Sequence, residues 1–149
     1  MIRLATNADA DAVTTIARTA FEHYIPRIGM PPVPMLLDYP AAIAAGKVWV
    51  ADADADGTVT GFVLLEDEAD SLLLDVLAVS PQAQGRGLGV ALLAFTETEA
   101  RARGYARITL CTNAAMTENI AYYPRHGYVE TGRATVEDRH RVFFRKDLA

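Results

Sequence analysis

The sequence holds a single cysteine, Cys111, in 149 residues, so an intramolecular disulfide framework is impossible, in keeping with a reducing cytoplasm. No apolar run approaches the roughly 20 residues needed to cross a bilayer. The longest candidate, residues 72–79, is interrupted by Asp75. The start, Met1-Ile2-Arg3-Leu4-Ala5-Thr6-Asn7-Ala8-Asp9, turns acidic before a signal-type apolar core can form. Basic residues are in deficit, with 14 Lys and Arg against 19 Asp and Glu and a formal net charge of −5. They are also scattered, which excludes the counterion-replacing patch of a general nucleic-acid binder. His23, His126 and His140 stand apart from one another and from Cys111 with no metal-ligand spacing, so no metal is expected. Repeats and low-complexity linkers are missing. With 51% hydrophobic residues the chain is long enough for one buried core and too short for two ordinary domains, so residues 1–149 are expected to form one.

What the chain does have is an apolar run that stops in a turn and restarts as a helix through three glycines: Val79-Ser80-Pro81-Gln82-Ala83-Gln84-Gly85-Arg86-Gly87-Leu88-Gly89. Residues without a Cβ let a ligand approach the backbone. A helix starting at the third glycine aims its unpaired N–H groups and positive dipole end at whatever lies in front, so the segment suits phosphate. Arg86 adds a fixed positive charge. A P-loop would continue with Lys-Ser/Thr, whereas Val90 and Ala91 follow Gly89. A dinucleotide fingerprint would place an acidic residue about 20 positions later, where Thr112 and Asn113 stand. A glycine-rich turn without a ligand is the plain alternative.

Periodicity organises the rest. Residues 2–5 read as a strand, and Thr6 or Asn7 caps a helix carrying Val13, Ile16, Ala17, Ala20, Phe21 and Tyr24 at helical spacing, which Pro26 ends. A proline-punctuated loop, 27–34, leads to a second helix over 35–45 closed by Gly46. Strands at 48–51, 59–65 and 72–79 are separated by acidic turns. The first of these, Asp52-Ala53-Asp54-Ala55-Asp56-Gly57, starts like a calcium-binding loop, but no carboxylate follows over 58–65 and the flanks are strands. A solvated hairpin turn is expected there. Residues 88–103 form an amphipathic helix with Leu88, Ala91, Leu92 and Phe95 inward and Glu97, Glu99, Arg101 and Arg103 outward. A strand over 107–112, a helix over 117–126, and strands over 128–132 and 141–146 complete the order.

Residues 84–89 are similar to the Gln/Arg-x-x-Gly-x-Gly/Ala loop of the GCN5-related N-acetyltransferases, with Gln84, Gly87 and Gly89 at its defining positions. Downstream, Tyr123-Pro124-Arg125-His126-Gly127-Tyr128 resembles the family's Tyr-x-x-x-Gly-Phe/Tyr motif. The order of elements agrees over most of the chain, in the N-terminal third only as a pattern. The resemblance implies a single-domain α/β (α+β) fold, with a mixed, mostly antiparallel sheet flanked by helices. It implies an enzyme that moves an acetyl group from acetyl-CoA, as co-substrate, directly to a primary amine in a ternary complex. By the same resemblance, Gln84, Gly85, Arg86, Gly87, Leu88, Gly89 and Val90 cradle the pyrophosphate, and the backbone of Leu77, Ala78 and Val79 pairs with pantetheine as an added strand would. An N–H of Leu77 or Ala78 faces the developing oxyanion.

Tyr123 takes the family position of the acid that protonates the departing thiolate. A phenol near pKa 10 can protonate a thiolate whose conjugate acid lies near 8.5 without prior ionisation, and Tyr122 is the competitor. Family members often carry an asparagine seven residues before the tyrosine, where this chain has Met116. Asn113 and Asn119 are the amides in reach, each either contacting CoA or capping the short helix beside Thr117. Pro124 removes a helical hydrogen bond and ends or kinks that helix.

Asp75 is the candidate base, placed by strand alternation on the face of Leu77 and Val79, with a solvated or ion-paired aspartate as the alternative. Glu22, His23 and Tyr24 are further candidates for substrate contact. Cys111, with nothing nearby to lower its pKa, is expected to be a buried strand residue and no acyl carrier. In the family layout the acceptor lies between residues 21–39 and 132–141, where His23, Arg27, Asp38, Arg133, Glu137 and Arg139 form no diagnostic pattern. A small-molecule amine is expected, with a protein N-terminus, or a non-catalytic acyl-CoA-sensing module, as alternatives. Analogy suggests a homodimer.

Overall fold

The computed structural model describes residues 1–52 and 56–149. Its main elements are β1 (Ile2–Leu4), α1 (Ala10–Phe21), α2 (Ile25–Ile28), α3 (Tyr39–Ala44), β2 (Val48–Asp52), β3 (Val59–Asp67) and β4 (Leu72–Val79), followed by α4 (Leu88–Ala102), β5 (Arg107–Asn113), α5 (Thr117–Tyr122), β6 (Val129–Val136) and β7 (Arg139–Asp147). The strands form one sheet in the order β1-β2-β3-β4-β5-β7-β6. Among the described residues only the β4–β5 pair is parallel.

Alternation along the central strands sends apolar side chains to both faces, and each face is covered by helices. Val13 and Ile16 of α1 pack with Phe62, Leu64 and Val76 on one side. Leu92 and Leu93 of α4 pack with Val63, Leu65, Ile108 and Phe144 on the other. Full burial of each such side chain is worth roughly 1.5–3 kcal/mol. Gly61 lets α4 lie close on β3, since a Cβ there would sit 2.9 Å from the Ala78 carbonyl oxygen and 3.1 Å from Leu88 Cδ2.

Several boundaries differ from the sequence reading for reasons of backbone chemistry. Pro26 does not end the first helical segment. The chain continues through a 3-10 turn, Glu22–Tyr24, into α2, and Pro26 stands in the first turn of α2, where its missing N–H has no partner to lose. The expected second helix starts late, at Tyr39, because Pro40 is tolerated only in a first turn. Asp38 caps it by accepting from the Ala41 N–H at 3.1 Å. Ala91 faces outward, and the buried stripe of α4 is Leu92, Leu93, Thr96 and Ala100. Thr96 is accommodated because its hydroxyl donates to the Leu92 carbonyl at 2.9 Å. β6 and β7 are longer than expected because Glu137 and Asp138, at φ 52° and 64°, make a tight hairpin turn without glycine. Residues 53–55 of the first acidic turn, and with them the expected hairpin turn, lie outside the described residues. Among the described residues, no helix is long and apolar enough to cross a membrane.

Arg3 ties the N-terminal strand to the fold. It donates to Asp9 at 2.8 and 3.0 Å and to Asp52 at 2.8 Å, while Asp9 also accepts from the Thr6 N–H at 2.8 Å. The guanidinium holds the buried Asp9 carboxyl at about 2, below its usual 3.8. A depressed folded-state pKa contributes stability that is present above the unfolded value and lost as pH falls toward the folded one. Asp9→Ala should therefore cost about 2 kcal/mol at neutral pH. In urea denaturation the gap from the wild type should narrow between pH 4 and pH 2.

Candidate active site

β4 and β5 pair only through Leu72 with Ile108 and Leu73 with Thr109. Past that point β4 stays in register with β3 alone, because a bulge bends it away. Leu65 pairs with Leu74 and Leu64 with Val76, which leaves Asp75 as the extra residue. The Ser80 N–H donates to the Thr60 carbonyl at 2.8 Å. By the alternation of an antiparallel ladder, the Ala78 N–H points to β3, whereas the N–H and C=O groups of Leu77 and Val79 point to the open edge. Gln84 agrees with that orientation, since its Nε2 donates to the Val79 carbonyl at 3.1 Å. Of the two N–H groups considered for an oxyanion, only that of Leu77 is free to face one.

The open edge runs into a groove of about 470 Å³ lined by Leu77, Ala78, Val79, Gln84, Gly85 and the residues from Gly87 to Val90, with Tyr122 and Tyr123 opposite. Gly85 and Gly87 have φ 79° and 81°, a left-handed geometry that is cheap only without a Cβ. Gly87 is the N-cap of α4, so the helix starts at Leu88, one residue ahead of the third glycine. Gly89 stands inside the first turn, where a Cβ would lie 3.0 Å from the Tyr122 hydroxyl. Tyr122 therefore packs across the glycine turn. Arg86 is exposed and absent from the groove wall. Beside the groove, Arg27 grips Glu118 through two nitrogens at 2.5 and 2.8 Å, tying α2 to α5. His23 stacks on Tyr24 at 3.9 Å.

A second, smaller cavity of about 100 Å³ opens where β4 and β5 diverge, and Asp75, Cys111, Asn113, Arg139 and Arg141 line it. Phe21, Leu77, Asn119 and Tyr123 line both spaces. The bulge overturns the expectation that Asp75 shares a face with Leu77 and Val79. Leu74 belongs to the core under α4, whereas Val76 and Ala78 belong to the core under α1, so the faces exchange across Asp75. Asp75 looks to the α1 side, where Tyr39, Lys47, Glu66 and Arg141 feel its charge. Burial raises its pKa, Glu66 and Glu68 add to the rise, and Arg141 and Lys47 oppose it. Burial also lifts the Tyr123 phenol above the usual tyrosine range.

The other candidates separate by their partners. Asn113 accepts from the Ala115 N–H at 2.9 Å, closing the turn after β5, and lines the small cavity but not the groove. Asn119 lines both, with Nδ2 donating to Thr112 Oγ1 at 3.2 Å. Thr117 does not cap α5; Met116 holds the N-cap position, and the threonine hydroxyl donates to Glu118 at 3.1 Å. At Tyr123 the helix tightens into a 3-10 turn, Tyr123–His126, with Pro124 in its first turn. Cys111 is half-buried rather than buried, and desolvation pushes its thiol pKa up. Arg141 was not singled out by the sequence reading. The expected strand began at Arg141 and left Arg139 outside it; β7 starts at Arg139, and their spacing of two then places both on one face.

Residues 11–128 match the model of the acetyltransferase (GNAT) family. Over 91 residues, 61% of this chain, the sequence is 33% identical to the peptidyl-lysine N-acetyltransferase YjaB of Salmonella typhimurium, covering 56% of that protein. Over 86 residues, 56% of this chain, it is 34% identical to the mycothiol acetyltransferase of Jonesia denitrificans, covering 27% of that protein. The match thus spans about half or less of these relatives. The PaiA N-acetyltransferase of Thermoplasma acidophilum, solved in complex with coenzyme A, has the same fold, with a TM-score of 0.81 at 18% identity over 99% of this chain and 98% of that one.

Proposed function

Since the chain belongs to the acetyltransferase (GNAT) family, we propose that it transfers an acetyl group from acetyl-CoA directly to a primary amine within a ternary complex. The observation that carries this reading is the meeting of the groove and the small cavity at Leu77 and Tyr123. A thioester arriving from one side and an amine from the other come together there. Acetyl-CoA supplies the activated acyl group. The N–H groups of Gly85, Gly87, Leu88, Gly89 and Val90, with the dipole of the 15-residue α4, hold its pyrophosphate. Gln84 braces the turn through Val79, and Arg86 contributes charge from outside the groove.

The open edge of β4 at Leu77 and Val79 pairs with pantetheine. Ala78 supports that edge from within the β3 ladder. The Asn119 amide oxygen, with its NH2 engaged by Thr112, accepts from the same arm, while Asn113 is assigned to the turn it closes. Asp75 takes a proton from the incoming ammonium, and its raised pKa makes it a stronger base than an ordinary aspartate. The deprotonated nitrogen adds to the thioester carbonyl with the Leu77 N–H facing the transient oxyanion. The C–S bond then breaks, Tyr123 gives its proton to the departing thiolate, and the second nitrogen proton passes to the phenolate so formed.

Gly87→Val tests the cradle against a matched control. Gly87 and Gly46 both hold a left-handed φ, 81° and 74°, with nothing within 4 Å of a Cβ. Valine strains both sites alike, but only position 87 faces the groove. Each variant should lose a similar amount of intrinsic stability. Acetyl-CoA should then raise the Tm of Gly46→Val as it does the wild type and leave that of Gly87→Val unmoved. An undiminished shift in Gly87→Val removes the cradle assignment.

A further inference from the structure

We infer that the acceptor amine carries a carboxylate and that Arg139 and Arg141 hold it; this rests on the transfer reading above and adds the acceptor's chemical class. Among the described residues, Arg18, Arg86, Arg125, Arg139 and Arg141 are the arginines with no carboxylate within 4.0 Å. The first three are exposed, where water serves them. Arg139 and Arg141 are half-buried and line one and the same cavity. They do not line the groove, so the phosphates of acetyl-CoA do not account for them.

Their protein partners use little of what they offer. Arg139 Nη2 donates to the Pro31 carbonyl at 2.9 Å, and Arg141 Nη1 reaches Cys111 Sγ at 3.8 Å. A guanidinium presents five N–H donors in a fork that matches a carboxylate, and a half-buried charge with no carboxylate in contact is costly. The single carboxylate of the cavity wall is Asp75, which lies within 4.0 Å of neither arginine and, on the transfer reading, takes the proton of the ammonium. An amino carboxylate satisfies both ends at once, ammonium toward Asp75 and carboxylate toward the arginines. Phe21, Val33, Leu37 and Met116 then face its remaining atoms. The volume of about 100 Å³ suits a small amino acid with an apolar side chain.

The test uses the full chain with acetyl-CoA and a panel of free L-amino acids, each beside its amide, followed by CoA release. At least one acid should exceed its amide ~10-fold or more in kcat/KM, the scale of a charge-assisted, bidentate contact. R141Q should reduce that preference to near unity through KM, with the acetyl-CoA-induced Tm shift retained. R139Q, on the hairpin and tied only to Pro31, provides the second variant should R141Q fail to fold. Equal use of acids and amides, or a preference that survives both substitutions, overturns the inference and leaves acetyl transfer standing. Tighter binding of acids than amides to the CoA-loaded protein without any CoA release supports the arginine site and overturns the transfer reading instead. Neither binding preference nor release overturns the carboxylate assignment.

Discussion

Tyr123→Phe is expected to lower kcat roughly 10²-fold or more while leaving acetyl-CoA binding nearly unchanged. The substitution keeps the ring, which packs edge-on against Tyr122 and Tyr128 with centroids at 5.4 and 5.6 Å, and deletes only the hydroxyl. Burial holds the phenol protonated well into alkaline solution, so the proton is in place whenever the thiolate departs. Tyr122→Phe is the matched comparison. Its hydroxyl lies over Gly89 in the groove, so that variant should weaken acetyl-CoA binding and spare kcat. Loss of kcat in Tyr122→Phe and its retention in Tyr123→Phe would exchange the two roles.

Asp75→Asn should cut kcat/KM for the amine roughly 10²-fold at pH 7 and lose much of that deficit by pH 9.5. The sign follows from the direction of the shift. With the ionised carboxylate as the proposed base, the wild-type rate should rise as pH passes upward through a pKa set above 3.8 by burial and by Glu66 and then level. The variant must wait for amine already free in solution, whose population grows with pH until it reaches the amine's own pKa. Stability moves the opposite way. A carboxyl with a raised folded-state pKa binds its proton more tightly when folded, so its ionisation weakens the fold as pH rises through that value. Asp75→Asn should therefore match or exceed the wild-type Tm at pH 7. An unchanged rate and pH profile would take Asp75 out of the mechanism.

The parts legible in the sequence are those governed by local rules. The span of β4, the start of α4 at the glycine turn and the arrest of the second helix by Gly46 follow from alternation, from left-handed φ and from helix periodicity, and each is encoded within a few residues. Gln84, Gly87, Gly89 and Tyr123 are recognisable for the same reason, since their spacing along the chain is their signature. Proline proved ambiguous because its effect depends on its position in a turn. Pro26 and Pro40 both sit where the absent N–H is harmless, and only the folded course of the chain shows this.

Tertiary structure alone decided the geometry of the site. The bulge at Asp75 arises from the register of β4 against β3, a pairing between segments about ten residues apart, and no periodicity within β4 announces it. That one extra residue moves Asp75 to the other face, where β4 and β5 part and leave the free edge of β4 and the small cavity. Arg139 and Arg141 share a cavity with Asp75 because β7 inserts between β5 and β6, which brings the end of the chain to its middle. The sequence by itself determined the family, the glycine turn ahead of α4 and the position of Tyr123, because local backbone conformation and motif spacing specify them. The side to which Asp75 turns and its meeting with Arg139 and Arg141 in one cavity were decided by long-range strand pairing, which a one-residue shift in register reverses.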